Sequence, residues 1–185
     1  MRASISDGYV HMTQNIAYLS LGSNIEPEIN ITSAVEMLAE LTELVAVSSV
    51  WETQPVGMKN QPKFLNAAAI IKTPLTAAQL KQKVLNPIEQ KLGRVRQANK
   101  DAPRPIDIDI MLFNRQVLQL GNRHIPDAEI LERPFVAIPL AEIAPDYIHP
   151  ETNQCLTDIA NNFNVTEKDM SPRPEISRTL ARLIS

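Results

Sequence analysis

Apolar residues along this chain switch between a period near two and a period near 3.6, and the switches predict an order of elements. Ile16 to Leu21 reads as a first strand, closed by the turn-forming Gly22-Ser23-Asn24. From Asn30 to about Thr42, the residues Ile31, Val35, Leu38 and Leu41 fall at helical spacing, with Asn30 as the expected cap. Val-rich Leu44 to Trp51 is a second strand, the Pro- and Gly-bearing stretch Glu52 to Gln61 a loop, and Phe64 to Lys72 a third strand. Thr76 opens a second helix with Gln79 at the capping-box position. Its apolar stripe is Ala77, Leu80, Val84, Ile88 and Leu92, Gly93 ends it, and Pro87 predicts a kink inside it. Ile106 to Phe113 alternates again, as a strand.

Strand–helix–strand–strand–helix–strand is the order of the ferredoxin-like βαββαβ fold, of the α+β class. The expectation is a mainly antiparallel sheet with its helices on one face. Pro-marked residues 114–150 add a hairpin and short helical structure, the polar stretch 161–174 reads as loose, and 175–185 as a terminal helix. In domain terms, residues 1–15 are expected to be a flexible leader, 16–160 one domain, and 161–185 a tail.

The last core strand carries the first sign of chemistry. Ile106, Ile108, Ile110 and Leu112 fall on one side of it, and Asp107, Asp109, Met111 and Phe113 on the other. Two carboxylates thus share a face, roughly 6.6 Å apart along the strand. Like charges so close repel, and a hard cation between them would relieve that; Mg²⁺ takes one or two carboxylates and completes its shell with water and phosphate. Just upstream stand Arg94, Arg96, Lys100 and Arg104, interrupted by Pro103 and Pro105. Arginine forks suit phosphate oxygens. A basic loop before paired aspartates is what a metal–polyphosphate site needs; the alternative is a solvated strand face with surface ion pairs. Phe64 and Asn66 share a face of the third strand, which suits a flat heteroaromatic ligand, although these residues alone favour a core ring beside a partly buried amide.

Composition narrows the classes. A net charge of −3 argues against a general nucleic-acid or membrane-surface role, so the basic loop is a local feature. A single cysteine, Cys155, excludes an intramolecular disulfide and a cysteine-rich zinc site. Neither a long apolar run nor a signal-peptide core is present, and a cytoplasmic location is expected. The five scattered glycines form no phosphate-cradling loop, which leaves side chains and metal to hold any phosphate.

The segments AYLSLGSNIEPEIN, SSVWETQPVGMKNQPKFLNAAAIIKT, LGRVR, APRPIDIDIMLF and ERPFVAIPLAEIAPDYIHP resemble, in order, the 6-hydroxymethyl-7,8-dihydropterin pyrophosphokinase family of folate biosynthesis. The resemblance spans residues 16–150 and is most specific at APRPIDID. It implies transfer of pyrophosphate from ATP to the pterin's hydroxymethyl group, with AMP leaving. It further implies that Asp107 and Asp109 bind two Mg²⁺ ions, with ATP as co-substrate. Arg94, Arg96, Lys100 and Arg104 would hold the phosphates, assisted by Arg133, and Arg94 and Arg104 would act with the aspartates in catalysis. Asn86, Glu89 and Ile110 would lie near the adenosine. Phe64 and Phe135 would sandwich the pterin, with Asn66, Thr53 and the backbone around Val56 and Gly57 at its edge. The expected partners are these small molecules alone, bound by a monomer, with no nucleic acid and no membrane. Two positions depart from the family pattern: Asp127-Ala128 replaces a usual His-containing pair after Ile125-Pro126, and Asp101 stands where some members carry a bulky residue. An anion at 127 is expected to weaken ATP binding unless a cation compensates. A pterin- or nucleotide-binding paralogue without transfer activity is the alternative reading.

Overall fold

The computed structural model describes residues 14–55, 61–95 and 102–184. Strand β1 (Asn15–Ser23) lies centrally, antiparallel to β4 (Phe64–Thr73) on one side and to β5 (Asp107–Phe113) on the other. Beyond β4 come β2 (Glu43–Val47) and β3 (Trp51–Thr53), which pair with successive halves of β4. Helix α1 (Pro27–Leu41) links β1 to β2, and the segment from Ala77 to Lys91 links β4 to β5. This is the ferredoxin-like arrangement expected from the periodicity.

One face of the sheet is sealed. Ala17, Leu19 and Leu21 of β1, Leu65, Ala67, Ala69 and Ile71 of β4, and Ile108 and Ile110 of β5 pack against Ile31, Val35 and Leu38 of α1 and Leu80, Val84 and Ile88 of the second connection. The opposite face is only partly covered. After β5 come a hairpin of β6 (Leu118–Leu120) and β7 (Arg123–Ile125), then α4 (Glu129–Glu132), α5 (Pro134–Ile143) and α6 (Leu156–Asn161). Ile130, Val136, Ala137, Leu140, Leu156 and Ile159 from these helices pack on Ala68, Met111 and Leu112. The core helices share one face as expected, and the C-terminal helices add a second layer.

Several local expectations are corrected. Helix α1 starts at Pro27, earlier than Asn30, because proline at the first turn is preset for helix. Asn30 lies inside it and donates from Nδ2 to Ile25 O at 2.7 Å. The expected second strand splits into β2 and β3. The kink at Pro87 takes the form of a π-helical turn, Lys81–Leu85, between α2 (Ala77–Leu80) and α3 (Asn86–Lys91). Pro87 offers no N–H to an upstream carbonyl, and the wider turn absorbs the mismatch. The Thr76–Gln79 capping box is present with both bonds made.

On β5 the strict alternation also fails. Tyr18 pairs with Leu112 and Leu19 with Ile110, so Met111 is an extra residue in a bulge. Beyond it the faces exchange: Leu112 joins the C-terminal helices and Phe113 the sealed core, the reverse of the expected assignment. Asp107 and Asp109 precede the bulge and keep their common face.

The stretch expected to be loose contains β8 (Met170–Pro172), which pairs with β3 and extends the main sheet. Helix α7 (Pro174–Ala181) then packs Ile176 and Leu180 into the sealed core. Each buried large apolar side chain contributes about 1.5–3 kcal/mol, so Met170, Ile176 and Leu180 together represent a large share of the roughly 5–15 kcal/mol typical of a domain. Deleting residues 161–185 should therefore abolish the cooperative unfolding transition in a thermal melt; an unchanged transition would make the segment a dispensable tail.

Candidate active site

The register across the open sheet face assembles the site. Gly22 of β1 stands between Asp107 of β5 and Asn66 of β4, and in the next row Ser20 stands between Asp109 and Ala68. The carboxylate pair and the Phe64/Asn66 pair thus lie on one surface, one strand apart. Gly22 keeps the space between them open: a Cβ there would sit 3.3 Å from Asn66 Oδ1. Asn66 Nδ2 donates to Thr53 Oγ1 at 2.8 Å, both residues being buried, which orients the amide.

Two clefts meet on this surface. The first, about 320 Å³, is lined by Ser20, Gly22, Thr53, Gln54, Phe64, Asn66, Glu129, Arg133 and Phe135. The second, about 600 Å³, is lined by Lys81, Glu89, Arg94, Val95, Ile110, Leu120 and Asn122. Asp107, Asp109, Arg104 and Arg123 line both and mark the junction.

Each acid at the junction is held between cations. Arg104 Nη1 lies 2.6 Å and Arg94 Nη2 3.6 Å from Asp107 Oδ2. Lys81 Nζ lies 3.2 Å from Asp109 Oδ1, and Arg123 Nη2 2.8 Å from Asp109 Oδ2. Arg104 also lies over the Phe64 ring, 5.7 Å from its centroid, and so reaches from the aromatic cleft to the carboxylates.

Local structure explains how the cations arrive. Arg94 follows a Schellman ending: Gly93 takes φ 83, its N–H donates to Gln90 O, and Arg94 N–H donates to Glu89 O. Asn24, 1% exposed, fixes Arg104. Its Oδ1 accepts from Arg104 N at 2.7 Å, and Arg104 O accepts from both Asn24 N and Ile25 N. The Gly-Ser-Asn turn is therefore a bracket for the basic segment, 80 residues downstream.

Glu89 is buried beneath the acidic pair and accepts from Ile108 N, between the two aspartates, at 2.8 Å. Burial pushes its pKa up; Lys81 and the Ile108 N–H oppose the shift, and Asp107 and Asp109 add to it. Asn86 is half-buried, and among the described residues it lines neither cleft and leaves Oδ1 without a hydrogen-bond partner. Arg133 opens into the first cleft beside Phe135, away from Arg94. Val56, Gly57, Arg96, Lys100 and Asp101 lie outside the described residues.

Three participants were not singled out from sequence: Lys81, Arg123 and Glu129. Lys81 sits on a helix whose solvent face is rich in polar residues, and Arg123 follows a turn, so neither has a local signal. Asp127 is 9% exposed and meets Arg123 Nη1 at 3.3 Å, so the compensating cation that an anion at this position requires is present.

Comparison with known proteins gives the chain's family. The family described as 7,8-dihydro-6-hydroxymethylpterin-pyrophosphokinase (HPPK) matches residues 18–145. The chain belongs to this family. It is 40% identical over 147 residues to the 2-amino-4-hydroxy-6-hydroxymethyldihydropteridine pyrophosphokinase of Bacillus subtilis, covering 78% of this chain and 86% of that protein. The enzyme of the same name from Haemophilus influenzae is 35% identical over 150 residues, covering 80% and 92%. Among solved structures, wild-type Plasmodium falciparum HPPK-DHPS with pteroate superposes with a TM-score of 0.65 at 15% identity, over 85% of this chain and 47% of that one, a likeness of fold.

Two measurements probe the site's supports. Asn24→Ala removes the acceptor for Arg104 N and should lower unfolding free energy by about 1–3 kcal/mol in urea titrations; no loss would mean the bracket is replaced by solvent. Glu89→Gln keeps an acceptor for Ile108 N but cannot ionise. A carboxyl whose folded pKa is raised stabilises below its ordinary value of 4.5, and that contribution disappears as pH rises through the shifted value. In metal- and nucleotide-free buffer, the variant's stability should therefore gain on wild type as pH rises from 4.5. A difference independent of pH would contradict the shift.

Proposed function

We propose that the two clefts divide the HPPK reaction between them, with the pterin in the first and ATP in the second. The protein transfers pyrophosphate from ATP to the hydroxymethyl group of 6-hydroxymethyl-7,8-dihydropterin, giving the diphosphate and AMP, in folate biosynthesis. The observation that supports the division is the junction itself: Asp107, Asp109 and Arg104 border both clefts.

In the first cleft Phe64 and Phe135 offer ring faces for the pterin, and the Asn66 amide, oriented by Thr53, reads its edge. In the second, Ile110 supplies an apolar wall for the base and Arg94 a fork for the phosphates. Arg104 reaches the phosphates from Asp107 while its guanidinium stays over the Phe64 ring. It thereby aligns the attacking hydroxymethyl oxygen with the β-phosphorus. Arg133 meets the transferred group from the pterin side. Excluding water from the junction keeps transfer ahead of hydrolysis.

Asp107 and Asp109 would hold Mg²⁺, two ions by the family resemblance. Among the described residues no group of three or more acidic, histidine or cysteine side chains is available to hold a metal. Two carboxylates on one face fit a hard ion whose remaining ligands are phosphate and water. Once bound, the metal neutralises charge developing on the phosphate oxygens.

A monomer is the proposed working unit, since the residues bordering both clefts come from one chain. Among the described residues no helix is long and apolar enough to cross a membrane. A cytoplasmic location is the reading favoured by the lone cysteine.

With Mg²⁺, ATP and the hydroxymethyl-dihydropterin, AMP should appear only when the pterin is present. Asp109→Ala should lower that rate roughly a thousandfold, as expected for loss of transition-state charge stabilisation. Pterin binding without AMP release would instead identify a silent paralogue, and near-normal turnover by the variant would remove Asp109 from the metal site.

A further inference from the structure

Arg123 holds a position that the sequence pattern does not account for. It opens β7 of the hairpin that packs against β5, and it lines both clefts. Its two terminal nitrogens engage different carboxylates: Nη2 lies 2.8 Å from Asp109 Oδ2, and Nη1 3.3 Å from Asp127 Oδ2. These two contacts are not equivalent. Asp109 is one of the two acids proposed to hold the metal, and a cation there would displace the guanidinium by charge repulsion and by competition for the oxygen. Asp127 has no such alternative. It is 9% exposed, its N–H donates to Met111 O on β5, and its Oδ1 accepts from Glu129 N at 3.0 Å. Asp127 is thus bound to the framework on two sides, with its second oxygen turned to Arg123.

Burial works against the Arg123 charge, but Asp109 and Asp127 outweigh it and hold its pKa above the ordinary arginine value. The side chain is nevertheless 44% exposed and faces the junction of the clefts. A guanidinium hinged on one fixed carboxylate and released from the other has donors to offer where the nucleotide's phosphates must complete the metal's shell.

We propose that Arg123 is a phosphate-binding arm for the nucleotide, hinged on Asp127 as its positioning residue and released from Asp109 when that acid takes the metal. The proposal rests on the placement of ATP in the second cleft. It makes the contribution of Arg123 depend on metal. Without Mg²⁺ the arm stays on Asp109, and with Mg²⁺ it turns to the polyphosphate.

The test is calorimetric titration with α,β-methylene-ATP, with and without Mg²⁺, and separately with the pterin. Arg123→Ala should weaken binding of the analogue about tenfold or more in Mg²⁺, the size of a lost charge-assisted hydrogen bond, and by clearly less without it. Pterin affinity should fall by clearly less than analogue affinity, and an unchanged thermal unfolding midpoint reports an intact fold. Arg123→Lys should recover part of the loss. Asp127→Asn keeps an acceptor for Glu129 N but loses the hinge charge; it should give a smaller loss, and the double variant should bind no worse than Arg123→Ala alone. Unchanged analogue affinity in Arg123→Ala, an equal loss with and without Mg²⁺, or a matching loss of pterin affinity would each overturn the proposal. Wild-type protein that fails to bind the analogue would instead overturn the placement of ATP on which it rests.

Discussion

Two like charges on one sheet face must be neutralised, and much of this structure serves that requirement. Asp107 and Asp109 project from β5 on the same side, where a packed sheet would carry apolar residues. Their charge is balanced by Lys81 from the π-helical turn, Arg94 from the end of α3, Arg104 from the basic segment, and Arg123 from the hairpin. Each cation is delivered by its own local device. Carboxylates balanced by guanidiniums suit a site that takes a cation and a polyanion together, because a bound cation would take the acids and leave the arginine forks to the anion.

The sheet makes this possible by being sealed on one side only. Its apolar face, closed by α1, the Ala77–Lys91 segment and α7, supplies the core that holds β1, β4 and β5 in register. Its other face is covered by α4 to α6 at one end and left open at the other. The open end is where Gly22 lacks a side chain, Asn66 is held by Thr53, and the aspartates stand. The Phe64/Asn66 pair and the two aspartates therefore share one surface. The bulge at Met111 marks its limit, since beyond that residue β5 turns its apolar side toward the C-terminal helices.

Asp127 shows how a local departure is absorbed by its surroundings. Considered alone, a carboxylate there adds negative charge to a site proposed to hold a polyphosphate. In the structure it is paired with Arg123 and bonded to the start of α4, so the added charge is accompanied by a cation from four residues upstream. Glu89 is a second buried acid with a structural duty: its carboxylate holds the Ile108 N–H between the two aspartates, while its carbonyl holds Arg94.

The chain by itself determined whatever depends on neighbours along the backbone. Apolar spacing set the βαββαβ order, the Thr76–Gln79 box set a helix start, Gly93 set its end, and alternation set Asp107 and Asp109 on one face. Family motifs extended that to Phe64, Asn66, Arg94 and Arg104, which the fold brings to one surface. Only the tertiary structure decided the rest: the bulge that exchanges the faces of Leu112 and Phe113, the pairing of β8 with β3, and the arrival of Lys81 and Arg123 at Asp109. The physical reason is range. Caps, turns and periodicity act within a few residues, whereas a bulge, an edge strand and a charge balance are settled between segments that meet only once the core has closed.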